Sequence, residues 1–263
     1  MAYIVALAGK GGTGKTTVAA VLVAMLLEEN RGSVLAVDAD PNYNLGLALG
    51  VQVNKTIADV REQIMQEKLS LPQEMSKDRI VEYEIQKVLE ERKGFALLTM
   101  GRPEGPGCYC YINHILRKYL DILTADYPFA IIDNEAGMEH LSRRTTNNVD
   151  HLVITALPEI ASVLAAERIS EMARSLPITV RRISVILNCV RSPVPDYLLK
   201  RLEKSSLSVL TQVPYDSKLE KSLSEEKPLL ETAAQTALFA ALRSAEEKIF
   251  SPGERRVTTP GIG

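Results

Sequence analysis

Apolar runs of strand length recur along the chain, at Tyr3 to Ala8, Val34 to Val37, Phe95 to Leu98, Phe129 to Ile132, Leu152 to Thr155, Ile183 to Leu187 and Val209 to Val213. Runs this continuous read as strands buried in a core. Between most of them lie segments with helical spacing: Thr16 to Glu29, Ile112 to Leu123, Ile160 to Leu176 and Leu229 to Ile249. That alternation predicts an α/β fold, a mostly parallel central sheet flanked by helices. The polar, charge-rich piece from Asn54 to Lys93 interrupts the rhythm and is predicted as a helical excursion after the second strand. Residues 1–250 are expected to form one domain, and the Gly-, Pro- and Thr-rich end SPGERRVTTPGIG, residues 251–263, a disordered tail. No internal repeat is visible.

Composition narrows the function classes. Hydrophobic residues make up 46% of 263 positions, ample for a large core, and no apolar run is long enough to span a bilayer. Lys+Arg 31 against Asp+Glu 33 gives a net charge of -2, so the basic excess of a general nucleic-acid binder is missing. Neither nucleic acid nor membrane is an expected partner. The opening MAYIVALAGKGG has no basic n-region and no small-residue cleavage site, which predicts a cytoplasmic protein. Three cysteines in a reducing compartment are better suited to metal or redox chemistry than to a disulfide.

The strongest motif is GKGGTGKTT, Gly9 to Thr17, which satisfies G-x-x-x-x-G-K-[ST] directly after the first strand and before a helix. Gly9, Gly11, Gly12 and Gly14 let the backbone curl so that successive N–H groups, including those of Thr13 and Thr17, surround phosphate oxygens. Lys15 is expected to reach the β- and γ-phosphates of ATP and the Thr16 hydroxyl to ligate Mg²⁺. The second strand ends in AVDADPNYNLG, which places Asp38 and Asp40 at the carboxyl edge of the sheet, where open α/β sheets bind ligands. Either acid could hold Mg²⁺ through water or orient the attacking water, and Asp38 could instead cap the next helix.

A second lysine, Lys10, lies inside the loop. With it the motif resembles the deviant Walker A loop, KGGxGKT, of the nitrogenase iron protein, MinD and ParA group. The resemblance implies a homodimer in which Lys10 crosses to the phosphates of the nucleotide held by the other subunit. It also implies that Asp40 orients the attacking water, leaving Asp38 to the metal shell. In FAIIDNEAGMEHLSRRTT, Asp133 then takes the Walker B position, and Gly137 the place where a backbone N–H meets the γ-phosphate. Asn188, ending ISVILNCV, and Pro214, in VPYD, match positions that contact the adenine ring in that group. Cys189, on the same run as Asn188, is expected in the core, and His151 as a structural residue.

GPGCYCYINH, Gly105 to His114, carries Cys108 and Cys110. Two thiolates make half of a tetrahedral site, and a two-fold axis beside them would supply the other half. Here the sequence resembles the nickel-insertion ATPases, often called CooC-like, that mature carbon monoxide dehydrogenase and acetyl-CoA synthase. GCYCYIN and DNEAGMEHLSRR most resemble the acetyl-CoA synthase branch. That resemblance implies an ATP-dependent maturation factor whose paired Cys108 and Cys110 hold Ni²⁺, with Zn²⁺ as a competitor, and whose client is a nickel enzyme. The rival readings are an iron-sulfur reductase, which uses two cysteines far apart in sequence, and a MinD- or ParA-type positioning ATPase, which needs a basic or membrane-binding surface.

Overall fold

The computed structural model describes residues 2–66, 83–101, 123–124, 126–136, 148–176 and 178–251. Eight strands form one sheet: β1 Tyr3–Gly9, β2 Val34–Ala39, β3 Glu90–Arg92, β4 Phe95–Thr99, β5 Phe129–Asn134, β6 Asn148–Ala156, β7 Thr179–Val190 and β8 Ser208–Pro214. Their order is β3-β4-β2-β5-β1-β6-β7-β8. All neighbours run parallel except the β3–β4 hairpin at one edge. The predicted fold class is what the chain adopts, and each apolar run falls within a strand.

Parallel strands need crossovers, and helices supply them. Among the described residues these are α1 Lys15–Glu28, α2 Asn44–Ala48, α3 Ile57–Gln66, α4 Ile160–Ser175, α5 Asp196–Lys204, α6 Ser217–Ser224, α7 Leu229–Thr232, α8 Ala237–Ser244 and α9 Glu246–Phe250. Helix α1 is apolar on every side, with Val18 through Met25 all buried. It lies under the sheet with α2, α7 and α8 around it, the setting an all-round hydrophobic helix requires. A second core fills the opposite face, with residues of α3, α4 and α5 against β2, β4, β5 and β6.

Two expectations change. The stretch from Leu229 to Ile249 is not one helix: a 3₁₀ turn spans Ala233–Gln235, Thr236 then caps α8 by accepting the Phe239 N–H at 3.1 Å, and the chain breaks again before α9. The piece at 54–93 contains helix α3, as expected, but ends in strand β3, turned back onto β4 through Gly94 at φ 85°. Helices α5 and α6 are short amphipathic helices that the sequence analysis did not single out. The helix expected at Ile112 to Leu123 falls almost wholly outside the described residues, as do residues 252–263 of the expected tail. No helix among the described residues is long and apolar enough to cross a membrane.

Candidate functional site

The carboxyl ends of β1, β2, β5, β7 and β8 converge on a cavity of about 660 Å³, lined from the phosphate loop at one end to Pro214 and Tyr215 at the other. Strand β1 runs into Gly9 at φ 152°, and Gly12 and Gly14 take φ 80° and 90°, conformations that glycine adopts without a Cβ penalty. A Cβ on Gly14 would stand 2.4 Å from Asn188 Nδ2, whereas at Gly11 and Gly12 it would meet nothing within 4 Å. The open faces of Gly11 and Gly12 belong to the cavity, and helix α1 starts there at Lys15. Free N–H groups of its first turn therefore border a space sized for a phosphate chain.

The loop is braced from below. Thr13 is buried, donates its hydroxyl to the Lys10 carbonyl at 2.8 Å and meets the Thr155 hydroxyl at 2.8 Å. Asn188 Nδ2 donates to the Thr13 carbonyl at 2.9 Å. Lys15 is buried, and its Nζ lies 3.5 Å from the Lys10 carbonyl, a long contact that a phosphate oxygen can displace. The Lys10 side chain is exposed. Thr16 and Thr17 both line the cavity.

Register places Asp38 beside Asp133 across the β2–β5 pair. The two carboxylates have different surroundings. Asp38 accepts the Asp40 N–H at 3.1 Å on one oxygen and the Leu45 N–H at 2.9 Å on the other. Both its oxygens hold backbone, which is the geometry of a helix cap, and each oxygen keeps a further lone pair. Burial raises its pKa to about 6 against the pull of those N–H groups. Asp133 is fully buried with no hydrogen-bond partner of ordinary geometry on either oxygen. Burial pushes its pKa up to about 7, with the charge of Asp38 adding to it, while the nearby Thr16 hydroxyl and Lys15 oppose it. An orphaned buried carboxylate beside a threonine hydroxyl and an open phosphate cradle fits a magnesium ion arriving with the nucleotide, held by Thr16 and, directly or through water, by Asp133. Asp40 lines the same cavity.

At the far end, Asn188 and Pro214 both reach the cavity wall. The Asn188 amide also accepts the Cys189 N–H at 2.9 Å, so it ties this wall to the phosphate loop. Cys189 is not a core residue as expected: at φ 55° the backbone leaves the strand geometry, and the side chain is exposed at the cavity. His151 is structural as expected, buried with Nδ1 facing the Ile249 carbonyl at 2.9 Å and Nε2 facing the Ser184 hydroxyl at 3.1 Å.

Gly137, Cys108 and Cys110 lie outside the described residues. Sequence reasoning passed over Thr155, Asn42 and Tyr215. Thr155 sits at a strand end, where nothing in the residue string marks it as a brace. Asn42 had a signal, since Asp-Pro-Asn is turn chemistry. Tyr215 follows Pro214, and its hydroxyl donates to Glu220 while the Arg191 guanidinium covers its ring at 3.5 Å from the centroid.

Residues 4–229 match the CobQ/CobB/MinD/ParA nucleotide binding domain family. An uncharacterized ATP-binding protein of Methanocaldococcus jannaschii is 36% identical over 250 residues, covering 94% of this chain and 98% of that protein. The carbon monoxide dehydrogenase accessory protein CooC of Rhodospirillum rubrum is 33% identical over 228 residues, 82% of this chain and 85% of that protein. Among solved structures, the septum site-determining protein MinD of Pyrococcus horikoshii, complexed with Mg-ADP, superposes with a TM-score of 0.69 at 22% identity, covering 95% of this chain and 97% of the other.

Proposed function

Because this chain belongs to the CobQ/CobB/MinD/ParA nucleotide-binding family and is a P-loop ATPase, we propose that it uses ATP binding and hydrolysis to deliver nickel to a metalloenzyme of the carbon monoxide dehydrogenase/acetyl-CoA synthase kind. The observation that carries this reading is the similarity over most of both chains to the Rhodospirillum rubrum accessory protein, taken with the Cys108 and Cys110 pair in this sequence. Ni²⁺ is the cargo, held by four thiolates across a homodimer, two from each chain; Zn²⁺ suits the same donors.

Nucleotide chemistry falls to the chain's own groups. The Gly11 to Gly14 backbone and the start of α1 bind the phosphates, and Lys15 neutralises charge on the transferring group. Thr16 and Asp133 would hold the magnesium ion that accompanies the nucleotide, which would supply positive charge against the charge developing on the phosphate. Asp40 orients the attacking water. Lys10 reaches the nucleotide of the other protomer, and the Gly137 N–H reports the γ-phosphate, so ATP draws the protomers together and changes the thiolate geometry. Asn188 and Pro214 flank the base.

Anaerobic Ni²⁺ titration with light scattering, on wild type and Cys108→Ala/Cys110→Ala with and without ATP, tests the reading. About one metal per two chains, lost in the double variant and changed in affinity by ATP, is expected. Nickel binding that ignores the cysteines overturns it. A brown chromophore in the protein as isolated would instead favour the reductase. The structural likeness to MinD supports a second reading, an ATPase that positions cargo on membrane or DNA; ATP-dependent cosedimentation with liposomes or DNA would establish it.

A further inference from the structure

A carboxylate that aims a water at phosphorus must be held in one rotamer, and Asp40 sits half-buried on a loop where two side-chain torsions are free to turn. We propose that Asn42 is the positioning residue for Asp40, an inference that rests on the reading of Asp40 as the water-orienting acid. Asp40 Oδ1 accepts two hydrogen bonds from Asn42, from its backbone N–H at 2.9 Å and from Nδ2–H at 2.8 Å. Two donors on one oxygen fix the plane of the carboxylate and leave Oδ2 as the oxygen available to water. The orientation of the Asn42 amide follows from chemistry, because only its NH₂ end can face a carboxylate.

The backbone beneath is fixed independently. Tyr43 N–H donates to the Asp40 carbonyl at 3.2 Å, closing a turn with Pro41 at its second position. Asp38 holds the Asp40 N–H from one side and the start of α2, through Leu45 N–H, from the other. Asp40 and Asn42 share the cavity wall with Lys15 and Thr16, where the phosphates are read to lie. In the open cavity water competes with the Asn42 bond. Once a triphosphate fills the space and water leaves, the same bond strengthens, so its effect falls on turnover more than on binding.

The test uses the full chain and compares Asn42→Ala, Asn42→Ser, Asn42→Asp and Asp40→Asn for kcat, for KM of ATP, for affinity toward a fluorescent ADP analogue and for melting temperature. Asp40→Asn is expected to abolish turnover. Asn42→Ala should lower kcat about 5- to 10-fold with KM and ADP affinity within about twofold of wild type. Asn42→Ser, which keeps a donor, should recover much of the loss, whereas Asn42→Asp, which keeps the shape but removes the donor, should not. Wild-type kcat in Asn42→Ala alongside an inactive Asp40→Asn overturns the role of Asn42 alone. Full turnover in Asp40→Asn overturns the reading of Asp40, and this inference with it. A parallel loss of ADP affinity and melting temperature in all three Asn42 variants marks a merely structural residue and also overturns it.

Discussion

Single side chains show how differently one sheet treats its polar groups. His151 lies inside β6, fully buried, and burial together with the Arg182 charge lowers its pKa to about 4 while the Ile249 carbonyl opposes. A histidine kept neutral in the fold but protonated when unfolded gives stability that is complete above its ordinary value of 6.5 and drains away as pH falls toward about 4. The full difference is roughly 3 kcal/mol at 1.36 kcal/mol per unit. Asp38 and Asp133, whose values are raised by burial, act in the opposite direction, so comparison with a variant isolates the histidine. Urea unfolding of wild type should lose more stability between pH 6.5 and pH 4 than that of His151→Gln. Lys15 and Thr16 were legible because the phosphate-loop motif sets them at a fixed spacing, and Asp133 only through the family resemblance. That Asp38 could cap the next helix was legible, because the donors it holds lie within seven residues of it; that Asp133 would have no donor to accept was not, since one-residue steps along a strand say nothing of what lies above its end.

At the level of elements, ends matter more than middles. Asp216 caps α6 by accepting the Lys218 N–H at 2.8 Å and also holds the Ala237 N–H that opens α8, at 2.8 Å. These N–H groups pull its pKa below the usual carboxylate range, the Ala237 N–H most. Asp216→Ala should cost about 1 kcal/mol, the ordinary worth of an N-cap, and lower the melting temperature by about 2–4 °C in thermal unfolding. Gly14→Ala should do more harm to function than to stability. The new methyl would need the left-handed φ of 90° and the space of Asn188 Nδ2, so the loop would lose its fixed shape and ADP binding, followed calorimetrically, should weaken at least tenfold. The strands were legible because a buried parallel strand is a nearly unbroken apolar run. The C-terminal helices were not, because Leu229 to Ile249 keeps helical periodicity across breaks set by the Thr236 cap and by packing against α1.

For the molecule as a whole, one sheet separates two cores and presents its functional loops at a single edge. Lys10 lies exposed in the phosphate loop at that edge, and the proposed dimer makes a prediction for it. Lys10→Ala should retain ADP binding yet remain monomeric by light scattering in ATP, whereas Lys15→Ala should lose nucleotide binding itself. The sequence alone determined the α/β class and the phosphate loop, because periodicity and motif spacing are local properties of the chain. Tertiary structure decided which polar groups stand beside one another at the end of the sheet. Strand order sets β2, β5 and β1 side by side, so that Asp133 is left without a hydrogen-bond partner of ordinary geometry beside Thr16, and Asn188, far along the chain, braces Thr13. Burial and hydrogen-bond partnership depend on what the fold brings near, and that is set by contacts between residues more than a hundred positions apart.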